Sequence, residues 1–265
     1  MAATAATRVG LIGLGAIGLG VLRHVREHAA GGFELVGAFV RDPSRQRPPG
    51  SPPLVASLAD LLALRPDVVV ECAGHAAFRA SVPAALRGGC DVIAFAAGAL
   101  ADDALLVEVR EAARAGGSRL RIPSGAIAGL DALAAASVGG LDRVTHTIRK
   151  PARALLPADE AAALREPREL YIGPAREGVV RFPESANVAA AVSLAGIGFD
   201  RTVMRVVADP HAGRNQHVVE AQGAFGALRV EVANIPSDEN PRTGRLTAMS
   251  AFRALLDRRE ILRLG

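Results

Sequence analysis

In the first half of the chain, short apolar runs alternate with stretches of helical period. Strands are predicted at Arg8–Ile12, Phe33–Val40, Asp67–Glu71, Asp91–Phe95 and Arg119–Ile122. Between them, helices are expected over Ile17–Ala30, Leu58–Leu64 with Ser57 as N-cap, Ala76–Arg87, and from the cap Asp102 to about Ala115. Near-continuous apolar strands separated by helices predict a parallel sheet covered on both faces. The pattern changes near Pro123. A helix of small residues is expected over Leu130–Ser137, then an alternating strand over Leu141–Arg149 that Lys150-Pro151 ends. Residues 152–182 are rich in Pro and charge and show no clear period. An apolar helix follows Asn187 to about Leu194, and three strand candidates come next: Thr202–Ala208, His217–Gln222 and Leu228–Asn234. A last helix spans Gly244 to about Asp257. Three strands in a meander with a helix predict an α+β region built on an antiparallel or mixed sheet.

The turn after the first strand carries candidate chemistry. Gly13-Leu-Gly15-Ala16-Ile17-Gly18 stands between strand and helix. Gly13 permits the tight turn, Gly15 lets the backbone approach a pyrophosphate, and Gly18 lets the helix sit close to the sheet. The helix N-terminus then offers unpaired N–H groups to phosphate. The fold class is therefore α/β, a Rossmann-type parallel sheet with a smaller α+β domain. The expected division is 1–122 for the dinucleotide-binding domain and 123–243 for the second, with a C-terminal helix (about 244–265) packing back on the first. Ligands of such sheets bind beyond the strands' carboxyl ends, where Ala73-Gly74 and Ala96-Ala97-Gly98 leave room for a cofactor. An acidic residue after the second strand favours NAD and an arginine favours NADP. This chain has both, Arg41 and Asp42, so NAD and NADP both stay open. Arg45 and Arg47 could reach a phosphate, although a solvated loop is the plainer reading.

Composition narrows the class. For 265 residues, one domain per ~150 residues predicts one large or two small domains. Half the residues are hydrophobic and 22% charged, which excludes wholesale disorder. Two cysteines, Cys72 and Cys90, cannot make a disulfide framework, and neither has metal-ligand spacing. Cys72, at the end of a buried strand, reads as core. The N-terminal Met-Ala-Ala-Thr-Ala-Ala-Thr lacks the basic and apolar regions of an export signal. The longest uncharged apolar run, Asn187 to Phe199, is too short to span a bilayer. A soluble, cytoplasmic protein without membrane contact is expected. A net charge of +4 and a pI near 9.9 raise the question of nucleic acid. The arginines are scattered, aromatics are 3%, and no nucleic-acid motif is present, so none is expected. Thirty of the 31 basic residues are arginine; Lys150 is the only lysine.

Several motifs then occur in order: the glycine turn, Ser124 to Asp131, Arg149-Lys150-Pro151, Glu184-Ser185-Ala186-Asn187-Val188-Ala189, Arg214-Asn215-Gln216-His217, Gly223-Ala-Phe-Gly226 and Asn240-Pro241-Arg242-Thr243. On these residues the chain resembles the L-aspartate dehydrogenase family over essentially its whole length. The resemblance implies a Rossmann cofactor domain and an α+β domain that carries the active site and forms a homodimer. It implies NAD- or NADP-dependent oxidative deamination of L-aspartate to iminoaspartate, which hydrolyses to oxaloacetate and ammonia, or the reverse. In some organisms iminoaspartate feeds NAD synthesis instead. His217 matches the family's active-site histidine, and Ala126 and Asn187 match positions that contact the cofactor. By themselves, Ala126 would read as helix packing and Asn187 as a helix cap. Aspartate's two carboxylates require cations or N–H donors, for which Lys150, Arg149, Asn215 and Thr243 are candidates. Hydride transfer to nicotinamide needs no metal, and none is expected despite Asp209 and His211 near His217. Two rivals stay in view: a two-domain dehydrogenase of another amino acid or a semialdehyde, and a dinucleotide-binding regulator without turnover.

Overall fold

The computed structural model describes residues 5–28, 32–237, 240 and 243–262. They divide into two compact units. One comprises the described residues up to Pro123 together with Ala248–Leu262, and the other is Ser124–Thr247.

The first unit runs β1 (Thr7–Ile12), α1 (Ala16–His28), β2 (Phe33–Phe39), β3 (Leu54–Val55), α2 (Leu58–Ala63), β4 (Val68–Glu71), α3 (His75–Arg87), β5 (Asp91–Ala94), α4 (Asp103–Gly116) and β6 (Leu120–Arg121). The expected end of the first helix at Ala30 lies outside the described residues. Caps set the helix starts. Ser57 Oγ accepts from Asp60 N, and Asp102 accepts from Ala104 N and Leu105 N. The strands pair in parallel in the order β3-β2-β1-β4-β5-β6. The order reverses between β1 and β4, the switch point where open α/β sheets bind ligands. β3 was not expected: its two residues are too few to show a period. Nor was the 3-10 turn Ala97–Ala101, whose small residues carry no periodic signal.

The second unit runs α5 (Leu130–Val138), β7 (Leu141–Pro151), α6 (Ala158–Ala163), β8 (Arg168–Pro174), α7 (Ala175–Arg181), α8 (Ala186–Ala195), β9 (Val203–Asp209), β10 (Gln216–Gly223) and β11 (Gly226–Ala233). Two expectations are corrected here. The late strands form no meander, because the sheet order is β11-β10-β7-β9-β8 and β7 separates β10 from β9. β7 and β9 are parallel and the other pairs antiparallel, so the sheet is mixed. Residues 152–182, without visible period, hold α6, the edge strand β8 and α7. Only Tyr171 of β8 is buried and no residue of α6 is, so neither carries an apolar stripe. α9 (Arg245–Leu256) closes the chain, and its Ala251, Phe252, Ala254 and Leu255 join Val9, Leu11, Val21 and Val70 in the core of the first unit.

The inner face of the second sheet positions the chemistry. Val144, His146, Ile148 and Lys150 alternate along it on β7 and all are buried. On β10 the same face carries Ala221, Val219 and His217, paired with Val144, His146 and Ile148. At one end, Val144, Val219 and Ala221 pack with Leu133 of α5 and Val192 of α8. Toward the other end the row turns polar. Among the described residues no helix is long and apolar enough to cross a membrane.

Candidate active site

The dinucleotide turn is built largely of backbone. Gly13 follows β1 with φ +95°, in the left-handed region that favours glycine. A Cβ there would meet Ala73 Cβ at 2.9 Å, and one on Gly18 would meet the Gly13 carbonyl at 2.6 Å. A Cβ on Gly15 would enter open space, with nothing within 4 Å. That open space, beside the start of α1 at Ala16 and Ile17, is what a pyrophosphate needs, so the residues present fit NAD or NADP. The structure thus brings Gly13, Gly15, Ala16, Ile17, Gly18 and Ala73 together.

Glu71, the last residue of β4, went unnoticed in the sequence. It is fully buried; its Oε1 accepts from Ala73 N and Gly74 N, and its Oε2 from Ala96 N. One carboxyl so fixes the loops after two strands. Burial pushes its pKa up, against those three hydrogen bonds. The available signal was an acidic residue closing an otherwise apolar strand. Cys72 Sγ lies 3.2 Å from the Gly13 carbonyl, and burial raises its thiol pKa, so it packs under the turn as an unreactive group.

Arg41 and Asp42 follow β2, whose Phe39 carbonyl accepts from Gly13 N at 2.9 Å. Both are exposed. Hydrogen bonds from Ser44 hold Asp42 below the usual carboxylate range. Arg47 is not simply solvated: it is half-buried and donates from Nη1 to the Leu14 carbonyl at 3.1 Å.

In the second unit, His217 is buried at the start of β10 with Lys150 on the same face. Burial, and then the Lys150 charge, pushes its pKa down to about 3, so the free protein carries a neutral imidazole. His146, also missed, lies fully buried with Nε2 3.2 Å from His217 Nδ1. Arg149 is spoken for: it pairs with Asp209 at 2.7 Å. Burial pushes Asp209 up, but the hydrogen bonds from Arg149 and the His211 backbone, with the nearby charges, together hold it below its ordinary value. Asp209 also accepts from His211 N.

A third missed residue organises the remaining candidates. Asn234 is buried after β11; its Nδ2 donates to the Ala126 carbonyl at 2.8 Å and its backbone N to the Asn215 carbonyl at 2.9 Å. Ala126 and Asn215 are thereby tied together two residues before His217. Gly244 fits against the Asn234 side chain, where a Cβ would lie 2.7 Å from Oδ1. Thr243 sits in the adjoining turn, accepting from Ser237 N and donating to the Asn240 carbonyl. Pro241 and Arg242 of that motif lie outside the described residues. Asn187 is exposed in the first turn of α8. Among the described residues the His, Cys and acidic side chains that converge as three potential metal ligands are His24, Glu27 and His28, on one turn of α1.

Comparison with known proteins gives the following. Residues 131–258 match the family described as aspartate dehydrogenase, C-terminal, and residues 13–123 match the NAD-binding domain of homoserine dehydrogenase. An L-aspartate dehydrogenase of Cupriavidus taiwanensis is 42% identical over 257 residues, covering 94% of this chain and 97% of that protein. L-aspartate dehydrogenase 2 of Bordetella bronchiseptica is 44% identical over 254 residues, covering 92% and 94%. The crystal structure of aspartate dehydrogenase from Thermotoga maritima superposes with a TM-score of 0.81 at 26% identity, covering 98% of this chain and 99% of that one.

Proposed function

The chain belongs to the L-aspartate dehydrogenase family, and on that premise we propose that it interconverts L-aspartate and iminoaspartate with His217 as proton acceptor and donor. The cofactor is NAD or NADP, which when bound supplies the acceptor for the hydride that leaves the substrate Cα. The observation that carries the role of His217 is its burial on the same sheet face as the chain's only lysine.

The chemistry follows from those residues. Hydride can leave Cα only as the nitrogen lone pair forms the C=N bond, so the substrate ammonium must first lose a proton. A neutral imidazole can take it. In the free protein the Lys150 ammonium works against this by holding His217 down. A substrate carboxylate beside Lys150 offsets that charge, so binding itself raises the proton affinity of His217. The base is thus activated by the dicarboxylate it acts on. Asn215 and Thr243 are proposed as further donors to the carboxylates. Asn187 and Ala126 are proposed to contact the cofactor, together with Arg41, Asp42 and the glycine turn. Water then adds to the imine carbon, and ammonia leaves to give oxaloacetate; in the other direction the imine is reduced. Iminoaspartate could equally pass into NAD synthesis.

We further propose a homodimer. The outer face of the second sheet supports it: a concavity of about 560 Å³ lined by Arg143, Thr145, Ile172, Val203, Arg205 and Glu220, with Ile172 59% exposed. A sedimentation mass of one chain would remove this assignment. The pyridine nucleotide and two free thiols, Cys72 and Cys90, favour the cytoplasm.

The test is oxidation of NADH and NADPH, followed by absorbance, with oxaloacetate and with ammonia added or omitted. Oxidation is expected to require both. His217→Ala is expected to lower kcat about 10²- to 10⁴-fold while NADH binding persists. Oxidation without ammonia would instead indicate a keto-acid reductase, and tight cofactor binding without turnover a regulator.

A further inference from the structure

His146 stands on β7 two residues before Ile148, the residue paired with His217, and so shares its sheet face. Its Nε2 lies 3.2 Å from His217 Nδ1. The ring planes are 16° apart and the centroids 5.4 Å apart. That separation is close to the nitrogen–nitrogen distance plus the two ring radii. The rings therefore meet edge to edge rather than face to face, and a proton between them lies in line with both. In a neutral imidazole one nitrogen donates and the other accepts. The pair accordingly shares one proton, and its position decides which nitrogen of His217 is bare.

A proton acceptor at Nε2 of His217 needs the ring proton at Nδ1. Among the described residues, the atom that receives that proton is His146 Nε2. We propose that His146 is a positioning residue: it accepts the Nδ1–H of His217, keeps Nε2 bare, and stabilises the imidazolium formed when His217 takes a proton. The proposal rests on the reading of His217 as proton acceptor. The protons balance. The one leaving the substrate ammonium arrives at His217 Nε2, the Nδ1 proton stays on His217, and His146 keeps its own proton at Nδ1. Burial, with His217 adding to it, holds His146 well below the ordinary imidazole value, so it stays neutral and able to accept. Nδ1 of His146 has no hydrogen-bond partner among the described residues. This tautomer therefore leaves a buried N–H unpaired, which destabilises the fold. An apolar side chain at 146 would avoid that cost, so the histidine is explained by what it does for its neighbour.

Long-range proton–nitrogen-15 correlation on the wild-type protein reads the tautomer directly. The expected spectrum has His217 protonated at Nδ1 and His146 bare at Nε2; His217 protonated at Nε2 overturns the proposal. His146→Gln puts an amide oxygen near the Nε2 position and is expected to keep kcat near the wild-type value. His146→Leu is expected to lower kcat about tenfold to a hundredfold, with KM and NADH affinity little changed. Equal kcat in the two variants, high or low, overturns it. His217→Gln separates the premise from the inference. Activity retained there sinks the role of His217 itself; activity lost there but full in His146→Leu sinks only the role of His146. If His146→Leu does not fold, the wild-type spectrum and His146→Gln still decide.

Discussion

Gly13, Gly15 and Gly18 occupy one continuous turn, whereas His146 and His217 meet across 71 residues of sequence. The first unit offers its ligand mostly backbone and open space, and its important property is the absence of side chains. The second unit offers side chains, and what matters there is strand register. A slip of one residue between β7 and β10 would send His217 to the other face of the sheet. Around a site made of backbone the fold tolerates change wherever a new side chain finds room, even where the ligand does not. A site made by register fails whenever a pairing shifts or a buried partner is lost.

Substitution at two glycines of the same turn gives the largest expected effect. Gly15→Val adds a side chain to open space at an ordinary φ, so the melting temperature should hardly move. NADH affinity, read by fluorescence titration, should fall about a hundredfold as the approach of the pyrophosphate is blocked. Gly13→Val should lower the melting temperature as well, because it strains the backbone and strikes Ala73. Equal stability losses in both variants would break the idea that the turn is shaped around empty space.

The next effect belongs to the second unit. His146 and His217 have folded-state pKa values below that of a free imidazole. The unfolded chain therefore binds more protons between the two values. Their contribution is fully present above about pH 6.5 and is lost as pH falls toward about 3 for His217. Each histidine steepens the loss by about 1.4 kcal/mol per pH unit inside its window. Urea titrations from pH 7 to pH 4 should show this slope, and it should flatten in His146→Leu. An unchanged slope would mean that the pair is not buried and neutral.

Smallest is the effect of Glu71→Gln, which tests whether the first unit also leans on a side chain. Gln keeps one acceptor but turns an amide donor toward a backbone N–H, costing about 1–3 kcal/mol in a urea titration. NADH affinity should fall with it, since Ala73 and Gly74 lose their anchor. Unchanged stability and affinity would show that the loops after β4 and β5 hold without the carboxyl.

Legibility in the sequence followed the same divide. The glycine turn, the flanking strand and helix, and the caps Ser57 and Asp102 could be read directly because they depend on near neighbours. His217, Ala126 and Asn187 came from the resemblance; His217 taken singly is one histidine among six. Glu71 gave only the weak signal of an acidic residue closing an apolar strand, and His146 and Asn234 gave no usable local signal. Each has a partner far along the chain: Ala96 for Glu71, His217 for His146 and Ala126 for Asn234, 25, 71 and 108 residues away. β8 was hidden for a related reason: an edge strand with one buried residue has no alternation to detect.

The sequence by itself determined the parallel sheet, its dinucleotide turn and the presence of a second, α+β unit. Hydrophobic period, capping and glycine geometry act over a few residues and need no tertiary knowledge. Only the tertiary structure decided that β7 lies between β10 and β9, and with it which buried side chains meet His217. Strand order and register depend on how whole faces bury against one another, and no short window of sequence contains that sum.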